Sequence, residues 1–166
     1  MTSALGSNPG GATLGGALTM RAGNGTATFG NLTLNKVGVG YTLQFTAAGL
    51  PVVMTNPLNV TVAAASQFLL TTPPPTTVAA GTRFAFSVQV ADRFGNFVTT
   101  FAKNAFVALA AAPAGGTLGG VPTAGVPLVG GAATFTDLWL SKVGVGYKLR
   151  VSASGLSTFT TGVLNV

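Results

Sequence analysis

Asp92 and Asp137 are the only carboxylate side chains in this sequence, which has no histidine and no cysteine. General acid–base pairs, zinc sites and thiol nucleophiles draw on those residue types, so most enzyme chemistry lacks its reagents. Ser141-Lys142 has the composition of a serine nucleophile with a lysine base. The chain repeats itself, however, and the other copy has Asn35-Lys36 there, without a hydroxyl. A solvated turn whose lysine keeps a strand end soluble is the simpler assignment. Asp92 and Asn96 have oxygens for calcium, but that ion takes about six to eight, usually several from carboxylates, and one aspartate is too few. Capping of the turn Asp92-Arg93-Phe94-Gly95-Asn96 fits better. One constellation points to a ligand. Lys148 and Arg150 stand at i and i+2 on one strand face, with Trp139 expected outward on a nearby strand, and an aromatic beside cations suits a glycan or polyanion. The other copy has Thr33, Thr42 and Gln44 at those places, so the feature is not general to the repeat. No metal or cofactor is expected.

Eight basic residues against two acidic ones give a net charge of +6. They are scattered singly from Arg21 to Arg150, whereas a nucleic-acid interface calls for a cluster, so no nucleic-acid partner is expected. Hydrophobic residues make up 48% of the chain, which argues against disorder. The uncharged stretches between Lys36 and Arg83 and between Lys103 and Asp137 are broken by Pro, Gly, Asn and Thr. Neither reaches the ~18 uninterrupted apolar residues of a membrane span. The first ten residues lack the basic start and apolar run of a signal peptide, so an export signal would lie outside this sequence. Asn24, Asn31 and Asn59 match the glycosylation pattern, as chance allows in a Thr-rich chain; Asn24-Gly25 marks a hairpin turn instead.

The elements that must position these residues follow from the repeat. Ala27-Thr28-Phe29, Leu32, Leu34 and Lys36-Val37-Gly38-Val39-Gly40-Tyr41 recur as Ala133-Thr134-Phe135, Leu138, Leu140 and Lys142-Val143-Gly144-Val145-Gly146-Tyr147, 106 residues on. Thr13-Leu14-Gly15-Gly16 recurs at Thr117, 104 residues on, so the second copy's loop carries two more residues. The first copy has no counterpart of Thr61 to Asn104. One repeat is therefore complete, 61–166, and the other, 1–60, is a C-terminal half lacking its first strands. A period near 106 suits a sandwich of about 100 residues. Arg83 to Ala91 alternates, with Phe84, Phe86, Val88 and Val90 on one face, as a half-buried strand does. Further strands are expected at Phe68–Thr72, Phe97–Phe101, Phe106–Ala110, Ala132–Leu140, Tyr147–Ser154 and Phe159–Val166. Inward parity slips between Phe135 and Leu138, and again between Phe29 and Leu32, which a β-bulge would produce. Pro73-Pro74-Pro75 belongs on an edge or in a crossing between sheets, and the glycine-rich 115–131 reads as long surface loops.

Taken in order, Ala80-Gly81-Thr82-Arg83-Phe84, Val90-Ala91-Asp92-Arg93-Phe94-Gly95-Asn96-Phe97, Gly115-Gly116-Thr117-Leu118, Ala132-Ala133-Thr134-Phe135 and Gly146-Tyr147-Lys148-Leu149 resemble bacterial Ig-like repeats of the invasin/intimin-like type. The resemblance covers 66–166 fully and 1–60 in part. It implies an all-β, immunoglobulin-like antiparallel sandwich in an extracellular or cell-surface stalk, array or adhesin, with no catalytic residues. Tyr41 and Tyr147, each two residues before a leucine in Gly-x-Gly-Tyr-x-Leu, match the placement of a tyrosine corner. The expected function is a non-catalytic spacer whose partners are neighbouring repeats of the same parent chain. The alternative is a module binding surface glycan or a host protein through loops or the Trp139 region. Apolar faces around Phe29, Leu32, Leu34, Leu43 and Phe45 should stand open in the half repeat and favour self-association; either upstream sequence has been lost, or another chain completes the sheet by strand addition.

Overall fold

The computed structural model describes residues Met1–Val166. Its regular elements are all β-strands, and no helix is long and apolar enough to cross a membrane. The chain divides into two compact units, Met1–Val62 and Ala63–Val166.

The first unit consists of short strands. β1 (Thr2–Leu5), β5 (Leu43–Thr46) and β6 (Val53–Met54) form one sheet in the order β1-β5-β6. β2 (Leu14–Gly15) pairs with β3 (Thr33–Leu34), and β4 (Gly38–Tyr41) with β7 (Leu58–Val60). The Asn24-Gly25 turn has φ of 49° and 79°, with Gly23 and Thr26 bridged around it, the two left-handed residues that a tight hairpin needs.

The second unit is a β-sandwich. β8 (Ala65–Thr72), β9 (Phe84–Asp92), β10 (Asn104–Ala111), β11 (Leu118–Gly119), β12 (Val126–Pro127), β13 (Ala132–Leu140), β14 (Lys148–Ser152) and β15 (Phe159–Thr160) build two four-stranded sheets, β11-β13-β9-β8 and β12-β10-β14-β15, with antiparallel ladders. One core joins them. Phe86, Val88 and Val90 of β9, Phe135, Leu138 and Leu140 of β13, and Leu149 and Val151 of β14 have no exposed area. Each such side chain contributes about 1.5–3 kcal/mol over its exposed state. The ladder between β9 and β13 shifts register between Phe135 and Leu138, where Asp137 has a φ of 60°. That bulge returns Leu138 and Leu140 to the core face.

Pro73-Pro74-Pro75 carries the chain from the edge strand β8 to Thr77, which bridges Asn165 in parallel. Three expectations need correction, the first being Phe159–Val166, which is a strand only over Phe159–Thr160 and then makes isolated bridges at Leu164 and Asn165. Phe97–Phe101 is not a strand: after one bridge from Phe97 to Ala91, Val98 donates its N–H to the Val90 carbonyl at 2.9 Å and sinks into the core, and the chain then turns at Thr99 and Thr100. The glycine-rich segment is not all loop, since it contains β11 and β12. Gly119 pairs with Trp139 and must be glycine because a side chain there would overlap the indole, and Gly120, with a φ of 74°, lies where a methyl would overlap the Asp137 carbonyl at the bulge.

Candidate functional site

The side chains singled out by their chemistry are held in structural bonds, and the two units share the bond made at Ser141 and Asn35. Ser141 Oγ accepts the N–H of Thr117 at 2.9 Å and bonds its hydroxyl at 2.9 Å. In the first unit Asn35 Oδ1 accepts the N–H of Thr13 at 2.7 Å. What this position repeats is an acceptor oxygen, which either residue supplies, and not a nucleophile. Lys142 Nζ meanwhile donates to the Ala114 carbonyl at 2.8 Å. Thr55 and Thr161 form another such pair, their hydroxyls accepting the N–H groups of Leu43 and Leu149 at 3.0 Å each. Sequence comparison of the copies contained this signal, because positions that exchange Ser for Asn conserve acceptor capacity and little else.

Tyr147 donates its hydroxyl to the Lys142 carbonyl at 2.7 Å, and Tyr41 to the Lys36 carbonyl at 2.8 Å. Both tyrosines are fully buried. Gly116 and Gly10 approach the phenols so closely that a methyl would overlap them, which explains glycine at those two positions. The bond satisfies a polar atom that would otherwise be buried alone, and it ties the loop Lys142–Gly146 to the strand that follows. Tyr147→Phe is therefore expected to lower the stability of the second unit by about 1.5 kcal/mol. Urea unfolding followed by the fluorescence of Trp139, the only tryptophan, measures this, and a loss below about 0.5 kcal/mol would refute it.

Asp92 is buried at the end of β9. Its Oδ1 accepts the N–H groups of Phe94 at 2.8 Å and Asn96 at 2.9 Å, and its Oδ2 accepts the Asn96 side-chain amide at 2.9 Å and the Ala63 N–H at 3.2 Å. Burial pushes the carboxyl up, but the bonds from Asn96, Ala63 and Phe94 outweigh it and bring the pKa from 3.8 down to about 2. Both oxygens face N–H donors, which clamps the turn and fastens the start of the unit. Asp137 pairs with Arg83 at 2.9 Å on the surface, and that bond, with one from Thr136, holds its carboxyl below the usual range.

The expected ligand-binding trio does not assemble. Lys148 and Arg150 point outward from β14, with Leu149 and Val151 inward. Trp139 points outward from β13, which belongs to the opposite sheet, and its indole lies half-buried over Gly119. The sandwich core separates the aromatic from the cations.

The first unit holds the least satisfied surface. Phe29, Leu32, Leu34, Leu43 and Phe45 are each partly exposed, whereas their counterparts Phe135, Leu138, Leu140, Leu149 and Val151 have no exposed area. Two open cavities result. One, of about 390 Å³, is lined by Leu14, Leu32, Leu34, Leu43, Leu58 and Val60. The other, of about 440 Å³, is lined by Met1, Ala27, Phe29, Phe45 and Val53.

No family model and no curated protein matches the chain. Among solved structures, a β-glycosidase from Bacteroides vulgatus is similar over 86% of this chain and 20% of its own, at a TM-score of 0.51 and 13% identity. Bacteroides uniformis β-glucuronidase 3 is similar over 79% of this chain and 16% of its own, at a TM-score of 0.40 and 15% identity. The chain thus spans about a fifth of the glycosidase's length, and at 13% identity the likeness concerns the fold alone.

Proposed function

We propose that the chain is a non-catalytic segment of tandem β-sandwich repeats that acts as a spacer or stalk in a bacterial cell-surface or secreted protein, with neighbouring repeats of its parent chain as partners. The observation that carries this is the way the last residues of the second unit are tied. Asn165 donates its N–H to the Thr76 carbonyl at 2.9 Å and accepts the Val78 N–H at 3.0 Å, in a parallel pairing of the segment that follows β8 with the unit's last residues. Two segments paired in parallel run the same way, and here the pairing lies between the chain leaving β8 and the last residues of the unit. Tension between the ends then loads these bonds together in shear and does not peel them one at a time. Support also comes from the internal repeat, from the resemblance to invasin/intimin-like repeats, and from the structural use of Asp92, Asp137, Ser141 and Lys142 described above.

Pulling the full chain between its termini in a single-molecule experiment tests the proposal. The second unit is expected to open in one event with a contour gain of about 300 Å, given ~3.4 Å per extended residue. Val78→Pro removes one clamp donor and should lower the force of that event. Gradual extension without a discrete event, or an unchanged force in the variant, would refute a load-bearing role.

A further inference from the structure

We propose that Asn24 is a site of spontaneous covalent modification, where the folded chain converts asparagine to aspartate and isoaspartate through ring closure on the Gly25 nitrogen. The proposal goes beyond the spacer role and rests on an exposed turn of the first unit. Gly23 and Thr26 exchange N–H···O bonds of 2.8 and 3.0 Å across this turn, and between them Asn24 and Gly25 have φ of 49° and 79°. Those bonds occupy neither the Asn24 side chain nor the Gly25 N–H, and both residues are exposed with no other partner. The turn does not need the asparagine. The second unit makes the same turn with Gly130 and Gly131, at φ of 58° and 74°, between Val129 and Ala132, which exchange bonds of 2.9 and 3.0 Å. Asparagine tolerates the left-handed conformation, but glycine adopts it at no steric cost. The first unit therefore carries a reactive amide where shape alone asks for none.

The reaction needs a side-chain amide beside a backbone nitrogen that nothing crowds. Hydroxide from solvent takes the Gly25 amide proton, and the nitrogen attacks Cγ of Asn24. The new C–N bond forms as the bond from Cγ to Nδ2 breaks, ammonia leaves with a proton from water, and a succinimide remains. Water then opens the ring at either carbonyl. One opening leaves a carboxylate on the side chain, and the other routes the main chain through Cγ and frees the α-carboxylate. A side chain on the following residue would hinder the attack, and Gly25 is bare, with open space where its Cβ would stand. None of the other eight asparagines combines these features. Asn8 and Asn56 precede proline, which has no N–H. Asn31, Asn35, Asn59, Asn96, Asn104 and Asn165 precede residues with side chains, and each holds its own amide in a hydrogen bond of 2.7 to 3.3 Å. Conversion places a carboxylate in a unit whose charged side chains are Arg21 and Lys36, and it lowers the chain's net charge of +6 by one.

Incubation of the full chain in mildly alkaline buffer, followed by cation exchange and peptide mapping, tests this. Conversion at Asn24 is expected to run at least about tenfold faster than at any other asparagine, and the converted chain should elute before the starting material. Asn24→Gly gives the first unit the Gly-Gly turn of the second and should abolish the earlier species. Conversion spread evenly over the asparagines would overturn the proposal. So would conversion at Asn24 in the urea-unfolded chain but not in the folded one, which would show that the bonded turn shields the amide. An earlier species that forms as fast in the Asn24→Gly chain would place the reaction elsewhere and overturn it too. The mapping is made on the unaltered chain, so the rate comparison does not depend on how the variant folds.

Discussion

Asp92→Ala is expected to lower the stability of the second unit by about 4 kcal/mol, the loss that follows when a buried charged acceptor leaves several N–H donors without a partner. The donors are Phe94, Asn96 through both backbone and side chain, and Ala63. Hydrogen bonds to an ionised group are the stronger kind, and water cannot enter a fully buried site to replace them without opening the turn. The carboxyl titrates at about 2 in the folded chain against 3.8 ordinarily, which fixes the sign of the pH dependence. The unfolded chain takes up the proton first, so the stabilisation is complete above about pH 4 and disappears as the pH falls through 2. Asp137 adds to the same acid limb through Arg83, and the difference between wild type and variant isolates Asp92. Urea unfolding monitored by Trp139 at pH 7 and at pH 3 is the measurement. The variant should be much weaker at pH 7, with a flatter acid limb. A loss under about 1 kcal/mol, or an acid limb unchanged from wild type, would show that the clamp is not a principal support of the unit.

Asp92 also illustrates what could be read from the sequence. Its turn was legible because Asp, Gly and Asn at that spacing have one dominant use. The strand before it was legible because Phe84, Phe86, Val88 and Val90 alternate without a break, and the bulge because alternation fails between Phe135 and Leu138 in the same place as between Phe29 and Leu32. The ligand trio misled for a related reason. Alternation says whether a residue faces in or out, but a sandwich has two outer faces, and parity is the same on both. Trp139 and Lys148 therefore looked like neighbours although they belong to opposite sheets. Phe97–Phe101 misled because its aromatic and β-branched composition suits a strand, while the bond from Val98 to the Val90 carbonyl folds the segment back onto β9. The acceptor shared by Asn35 and Ser141 lay beyond a search by residue type, since what is kept is one lone pair.

The two copies of the repeat also allow an experiment in which residue, local sequence and fold position are matched and only the surroundings differ. Phe135→Ala should cost the second unit about 4 kcal/mol, as removing a fully buried aromatic does. Phe135 has no exposed area and stacks on Phe86 at 5.0 Å with 24° between the ring planes. Phe29→Ala should cost the first unit only about 1 kcal/mol. Phe29 touches one ring, that of Phe45 at 5.0 Å and 51°, and its other side borders the cavity that Met1 and Val53 also line. A side chain that already meets solvent loses less area when shortened and leaves no enclosed void. Amide exchange read separately over Met1–Val62 and Ala63–Val166 gives both losses in the full chain. A ratio near four would mean that β9, and not the Ala-Thr-Phe sequence, gives this position its energy. Equal losses would mean that Phe29 is enclosed in solution as Phe135 is, and the difference between the copies would then lie in their loops and not in a missing strand.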